Sequence, residues 1–411
     1  MIVSKFRNNN DDYNDCSEPV LEIHSEQPGY GKTQSMVDYI NSNPHERHLV
    51  LGPSHDFLNE LKERIGIRTK IFRGFERGCS RLQRGDKRVV DLYKKLGNSS
   101  PTLICKVLRC KGRCSYRNQF SQLKNKTYTN CVFMPLHFLF YTDIDFNSFD
   151  NIFVEEGIKS NSFSNRLKAD YLNEILKLNI KNEDDKAVLN SVRDCILDND
   201  HVKFYELTNK FSRIVYNHNI SVLNDGRGKW DNICNINVNE LYYNLIFNKI
   251  GNLNVEIMWE WIIFYKQMIS WKNIVYNCAS FNRYTFTHKL RMFREIFPEY
   301  KPKINLHKTQ FSNPGTKIIR MSKDRTIYKN WMLSYYDEYS DKLWKLVKNN
   351  KYNHNMRVCF LTYKYMIENK LDIKGLNREN NIFGSHAFWF GAGHGINTYE
   401  GFDVLIVFGD I

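Results

Sequence analysis

The chain has 411 residues, enough for two or three folded units, because single cores seldom grow beyond roughly 250–300 residues. Lys and Arg outnumber Asp and Glu by 59 to 45, a formal net charge of +14 that suits a polyanionic partner or an anionic surface. The longest apolar stretches are broken by Pro135 and His137, and by Glu256, Glu260 and Lys266. With a polar, Asn- and Asp-rich start, the sequence is expected to carry neither a membrane-spanning helix nor a secretory leader, and the protein is expected inside the cell.

In chain order, 19–24 reads as a short strand and 32–41 as a helix, joined by a loop holding Pro28, Gly29 and Gly31. A strand at 48–52 and a helix at 56–65 continue the βα rhythm, which argues for a parallel sheet. Residues 72–126 interrupt it with basic, Cys-bearing sequence before apolar strands return at 129–134 and 151–155. From 161 to 272 the pattern is helical and charged and reads as a module of its own. A strand at 274–279 and a basic helix with Leu290, Met292, Phe293 and Ile296 follow, and then further strands at 317–321, 357–362, 387–390 and 404–408. Abundant Asn, Lys, Ile and Tyr suggest AT-rich coding, as in some viruses and plasmids.

The sharpest chemical signal is Glu26-Gln27-Pro28-Gly29-Tyr30-Gly31-Lys32-Thr33, followed by Gln34, between a strand and a helix as a phosphate-binding loop requires. Its glycines let backbone N–H groups turn toward phosphates, Lys32 reaches the terminal phosphates, and Thr33 ligates magnesium. The first position carries Glu26 in place of glycine. Magnesium held in this way needs an acid at the end of a neighbouring strand, which 149–156 supplies. There Glu155 is the candidate metal ligand and Glu156 the residue that polarises the attacking water.

With these motifs the chain resembles superfamily 2 helicases, over most of its length except 159–272. Leu49-Val50-Leu51-Gly52-Pro53-Ser54-His55 looks like motif Ia, which implies nucleic-acid backbone contacts at Pro53, Ser54 and His55. Asn277-Cys278-Ala279-Ser280-Phe281 is similar to the family's Ser-Ala-Thr motif through Ala279-Ser280. The stretch 393–403, with Gly393, Asn397, Glu400, Gly401 and Asp403, is similar to the inter-lobe motif V of the XPD and DinG group. The family places Asp where Glu155 stands, and no Gln-x-x-Gly-Arg-x-x-Arg element follows motif V in this sequence. Three expectations follow: a longer gene product supplies the transition-state arginine, another arginine substitutes for it, or the enzyme is slow.

Cys79, Cys105, Cys110 and Cys114, with 25, 4 and 3 residues intervening, are four thiolates able to hold an iron-sulfur cluster or a structural zinc, with Cys131 as an alternative ligand. The XPD and DinG helicases carry an iron-sulfur domain at this point in the motif order, and Cys114-Ser115-Tyr116-Arg117 is similar to the sequence at their last ligand. Arg109, Arg113 and Arg117 lie in the most basic region of the chain, which suits a phosphate backbone, and Phe72, Phe75, Tyr116 and Phe120 could stack on unpaired bases.

The expectation is an α/β P-loop NTPase with two RecA-like lobes, a Cys-bearing insertion and a helical insertion. Lobe 1 takes 1–71, 127–158 and 273–300, the insertions are 72–126 and 159–272, and lobe 2 takes 301–411. ATP and Mg2+ are the cofactors, and single-stranded or forked DNA, or RNA, is the partner. The expected activity is ATP-dependent helicase or translocase action, with Lys32 and Glu156 as catalytic residues. The alternatives are a nucleotide-switched nucleic-acid-binding protein that does not unwind, and a viral packaging motor.

Overall fold

The computed structural model describes residues 18–26, 30–96, 101–110, 114–124, 130–141, 144–155, 166–224, 233–247, 259–278, 283–308, 345, 349, 356–362, 376–377, 381–382, 385–389 and 402–407. They fall in two units, Met1–Gln310 and Phe311–Ile411.

The first unit begins with β1 (Val20–Ser25), α1 (Lys32–Ser42), β2 (His48–Gly52), α2 (His55–Arg64) and β3 (Thr69–Ile71). Short helices α3 (Phe75–Gly78), α4 (Ser80–Gln83), α5 (Lys87–Leu96), α6 (Pro101–Val107) and α7 (Ser115–Lys124) occupy the Cys-bearing segment. Next come β4 (Cys131–Pro135), α8 (Phe138–Tyr141), a 3-10 turn (Phe146–Ser148) and β5 (Asn151–Glu155). The helices α9 (Arg166–Leu176), α10 (Glu183–Asp198), α11 (His201–Asn224), α12 (Val238–Phe247) and α13 (Trp259–Ser270) precede β6 (Ile274–Asn277), α14 (Arg283–Ile296) and β7 (Lys303–Lys308).

The seven strands form one sheet in the order β3-β4-β2-β5-β6-β1-β7, parallel throughout. A sheet buried on both faces needs strands apolar at every position, and β2 is buried along its whole length. Alternation sends Leu49, Leu51, Ile152, Val154, Ile274 and Tyr276 into a core shared with α12, α13 and α14. Val50, Phe133, Phe153 and Val275 enter the opposite core with α1 and α2. At the end of β2, a side chain on Gly52 would meet Leu58 at 2.7 Å, so glycine there lets α2 close onto the sheet. Ser54 caps α2, its Oγ accepting from Phe57 N at 3.2 Å.

Two expectations change. The helical stretch 159–272 is not wholly separate. Tyr171, Ile175, Leu189, Phe204 and Phe211 of α9–α11 build their own core, but Trp261, Ile262, Ile263 and Phe264 of α13 are buried on the main sheet. The Lys289–Glu260 ion pair, at 3.2 Å and almost fully buried, joins α13 to α14. Likewise 303–308, placed in the second lobe on sequence, is an edge strand of the first sheet, paired with β1 from Val20↔Lys303 to Ser25↔Lys308.

The second unit contains β8 (Val358–Thr362), β9 (Leu376–Asn377), β10 (Asn381–Ile382), β11 (Ser385–Trp389) and β12 (Val404–Val407) in the order β12-β8-β11-β10-β9. β12, β8 and β11 are parallel, and β10 runs antiparallel to both β11 and β9. The strand expected at 317–321 lies outside the described residues. Among the described residues no helix is long and apolar enough to cross a membrane.

Candidate functional site

In a parallel sheet every strand ends on the same rim, and β1, β6 and β5 bring three polar residues into line there. His24 pairs in register with Asn277, and Asn277 with Glu155. All three project from the face that carries α1, because they alternate with residues of the opposite core.

The turn from β1 into α1 positions the chemistry. Gly31 adopts φ 94°, a left-handed conformation that costs a residue with a Cβ about 1–2 kcal/mol. It serves as the N-cap of α1 without a side-chain cap, and Ser35 N donates to its carbonyl at 2.8 Å. Uncapped N–H groups at a helix start suit an anion. Lys32 Nζ donates to the Glu26 carbonyl at 2.5 Å, which folds the side chain back over the loop. Thr33 Oγ1 donates to Glu155 Oε2 at 3.1 Å across the strand ends. Glu155 is only 2% exposed, and its Oε1 accepts from Asn277 Nδ2 at 2.5 Å.

These residues fit a magnesium-bound nucleoside triphosphate: an open left-handed glycine, an ammonium held at the loop, and a hydroxyl facing a carboxylate. Tyr30 is exposed beside the loop. Gln34 faces elsewhere, donating to Asp38 Oδ1 at 2.7 Å and accepting from Arg64 at 2.7 Å on the helix surface. That network engages its side chain on the helix surface. Gln27, Pro28, Gly29 and Glu156 lie outside the described residues. The sequence reading missed Asn277 as a site residue, although a lone amide ending an apolar strand, two places beyond Val275, was a usable sign.

At the end of β2, Pro53 and His55 are half-buried, and Ser54 Oγ is engaged as the helix cap. Burial, helped by Arg77 and His137, pushes the His55 imidazole down to about 4, so it is neutral near pH 7. Arg109, in a left-handed turn after α6, and Arg117 on α7 are exposed. Arg113 lies outside the described residues.

The four cysteines converge. Cys79 and Cys105 are buried with Phe75, Val89, Leu92 and Tyr116, and Cys110 and Cys114 pack against the same cluster. Burial first, then the neighbouring Cys110, Cys114 and Cys79, push the Cys105 thiol up to about 12. Arg81 reaches Cys110 Sγ at 3.5 Å. Tetrahedral zinc, with Zn–S near 2.3 Å, holds its sulfurs about 3.8 Å apart. No three of these sulfurs lie within 4.8 Å of one another, so a zinc ion would have to draw them together. Cys131 stands on β4 in the core beneath α1 and α2 and is no alternative ligand.

Of the residues named for the inter-lobe motif, Asp403 is described. Its Oδ2 accepts from Arg357 N at 2.8 Å and lies 3.5 Å from Arg357 Nε, which fastens the start of β12 to β8. Gly393, Asn397, Glu400 and Gly401 lie outside the described residues.

No family model matches the chain, and no curated protein matches it. Among solved structures, one described as "XPD_Helicase" superposes with a TM-score of 0.36 at 12% identity, covering 90% of this chain and 76% of that one. A second, "XPD_APO", gives 0.36 and 12%, covering 95% and 80%. The "Structure of S. tokodaii Xpd4" gives 0.32 and 12%, covering 85% and 68%. The likeness is distant, and a mixed α/β architecture with a seven-stranded parallel sheet is what the chain itself displays.

Proposed function

We propose that the chain is an ATP-dependent helicase or translocase acting on single-stranded DNA inside the cell, built on two RecA-like lobes. The observation that carries this is the Thr33 Oγ1 to Glu155 Oε2 contact of 3.1 Å. It sets a P-loop hydroxyl and a buried carboxylate where a metal on the terminal phosphates would be shared.

Magnesium supplies charge neutralisation on the phosphate oxygens when bound. Thr33 and Glu155 hold it, and Lys32 exchanges the Glu26 carbonyl for a phosphate oxygen. The N–H groups after Gly31 face the phosphates, and Glu156 orients the attacking water. Asn277 fixes the Glu155 carboxylate and so carries the state of the nucleotide into β6. Exposed Arg109 and Arg117, with Arg113, offer charge to a nucleic-acid backbone. Pro53, Ser54 and neutral His55 meet that backbone at the β2 rim, and Cys79, Cys105, Cys110 and Cys114 hold an iron-sulfur cluster that stiffens the basic segment.

ATP hydrolysis with and without single-stranded DNA, in the natural chain and in Lys32→Ala and Glu156→Gln, tests this. DNA-stimulated turnover that both changes abolish is the expected result. A specific observation favours the second reading, a nucleotide-operated switch that binds nucleic acid without unwinding it. Asn277 occupies one oxygen of the longer acid at 155. ATP binding through Lys32 without turnover would select that reading.

A further inference from the structure

The polar row on the rim continues past His24 onto the edge strand. Glu22 and His24 stand two apart on β1, and Asn305 and His307 two apart on β7, paired Glu22↔Asn305 and His24↔His307. All four therefore project from the face that carries α1. Glu22 accepts from Asn305 Nδ2 at 2.6 Å and lies 2.8 Å from His307 Nε2. The His24 and His307 rings stack 4.4 Å apart at 7°. One donor atom from each of Glu22, His24 and His307 lies within 4.8 Å of the other two. His24 is buried, Glu22 half-buried and His307 exposed, so the group is walled on one side and open on the other.

An ion pair between Glu22 and His307 explains one of these contacts but neither the second imidazole nor the carboxylate behind it. Glu26 Oε1 lies 3.4 Å from His24 Nδ1. Glu26 is 4% exposed, and its Oε2 has no hydrogen-bond partner among the described residues. A carboxylate on one ring nitrogen is the usual device that fixes the tautomer of a metal-ligating histidine and leaves the other nitrogen's lone pair free.

We propose that Glu22, His24 and His307 form a binding site for a divalent transition metal of the zinc class, with Glu26 as the positioning residue behind His24. Two imidazoles and a carboxylate are a ligand set that zinc accepts with a fourth position left open. Metal–ligand bonds near 2.0–2.1 Å put tetrahedral donors about 3.3–3.4 Å apart. The His307–Glu22 contact must open by about half an ångström, the remaining pairs draw together, and the stacked rings turn out of parallel, because a metal lies in the plane of each imidazole that binds it. The ion would clip β7 to β1 and, through Glu26, whose carbonyl holds Lys32, touch the phosphate loop. The site stands whether or not the chain hydrolyses ATP.

Cobalt(II) is the probe, added to the reduced, tag-free and nucleotide-free full chain. Imidazole and carboxylate ligands give weak visible d–d bands, whereas bound thiolates add intense sulfur-to-cobalt bands in the near ultraviolet. The expected result is one equivalent of cobalt without sulfur bands, displaced by one equivalent of zinc and unaffected by Lys32→Ala or Cys114→Ser. His307→Ala and Glu22→Gln should each weaken it at least about a hundredfold, and Glu26→Gln by about 10–100-fold. His307 is exposed, so its variant should fold, which circular dichroism checks. Cobalt bound only with sulfur bands, or with equal affinity in His307→Ala, would overturn the proposal.

Discussion

The nucleotide rim and the Cys-bearing segment are both expected to hold an ion or cofactor, and they are built on opposite plans. On the rim, backbone pairing does the positioning: Glu155, Asn277 and His24 are neighbours because β5, β6 and β1 are in register. In the Cys-bearing segment, helices of four to ten residues are gathered by a small core of Phe75, Leu92, Ile104 and Tyr116. That core has no strand ladder to set distances between the sulfurs. The rim is shaped before any ligand arrives, whereas the cysteine segment is brought near the geometry its cofactor would complete.

The contrast is tested most strongly at Lys32. Lys32→Ala should lower ATP turnover by about 10²–10³-fold, the usual cost of one charged group at a phosphoryl site, with the melting temperature little changed. Unchanged turnover would break the rim's side of the comparison. Next, Asn277→Ala should lower stability by about 1–3 kcal/mol in denaturant titrations, because it removes a hydrogen bond to the buried Glu155 carboxylate, and it should weaken magnesium-dependent nucleotide binding. An effect on stability alone would reduce Asn277 to a packing residue.

For the other side, alkylation at pH 8 should label half-buried Cys110 and Cys114 faster than Cys105, whose thiol burial pushes up to about 12. Protein isolated without oxygen should protect all four, and equal rates in both preparations would argue against a cluster.

Acidification gives a smaller effect, confined to the sheet side of the comparison, because the Cys-bearing segment holds no histidine. Burial lowers the His24, His48, His55 and His137 imidazoles, His55 to about 4 from an ordinary 6.5. The unfolded chain takes up these protons near pH 6.5 and the folded chain resists until lower pH. Stability is thus complete above about pH 6.5 and falls as pH drops toward 4. Melting temperatures between pH 7.5 and 4.5 should show this, with a shallower slope in His55→Gln. The smallest effect belongs to Arg77–Asp56, an exposed 3.3 Å pair linking α3 to α2. Arg77→Ala should change stability by no more than about 0.2–1 kcal/mol, less in high salt.

What the sequence disclosed follows from the same physics. Buried strands such as β2 and β5 announce themselves as apolar runs, and the loop before Lys32 carries its own glycines and a following helix. β3 and β7 escaped because they are the two edges of the sheet. An edge strand faces water on one side and tolerates Lys, His and Thr, which blurs its pattern. Asn277 and His307 escaped for a different reason. Their roles depend on which strand lies beside them, and a parallel sheet joined by long crossovers places neighbours in space that are far apart in sequence.

The row His307, His24, Asn277, Glu155 crosses four adjacent strands, β7, β1, β6 and β5. Parallel sheets twist by roughly 20–25° from strand to strand, so over three steps the two ends of the row point in directions that differ by about 60–75°. The rim behaves as a short spiral stair, with a landing at each end. An occupant at Glu155 and another at His307 would share a backbone scaffold while opening onto different quarters of solvent, and each could come and go past the other.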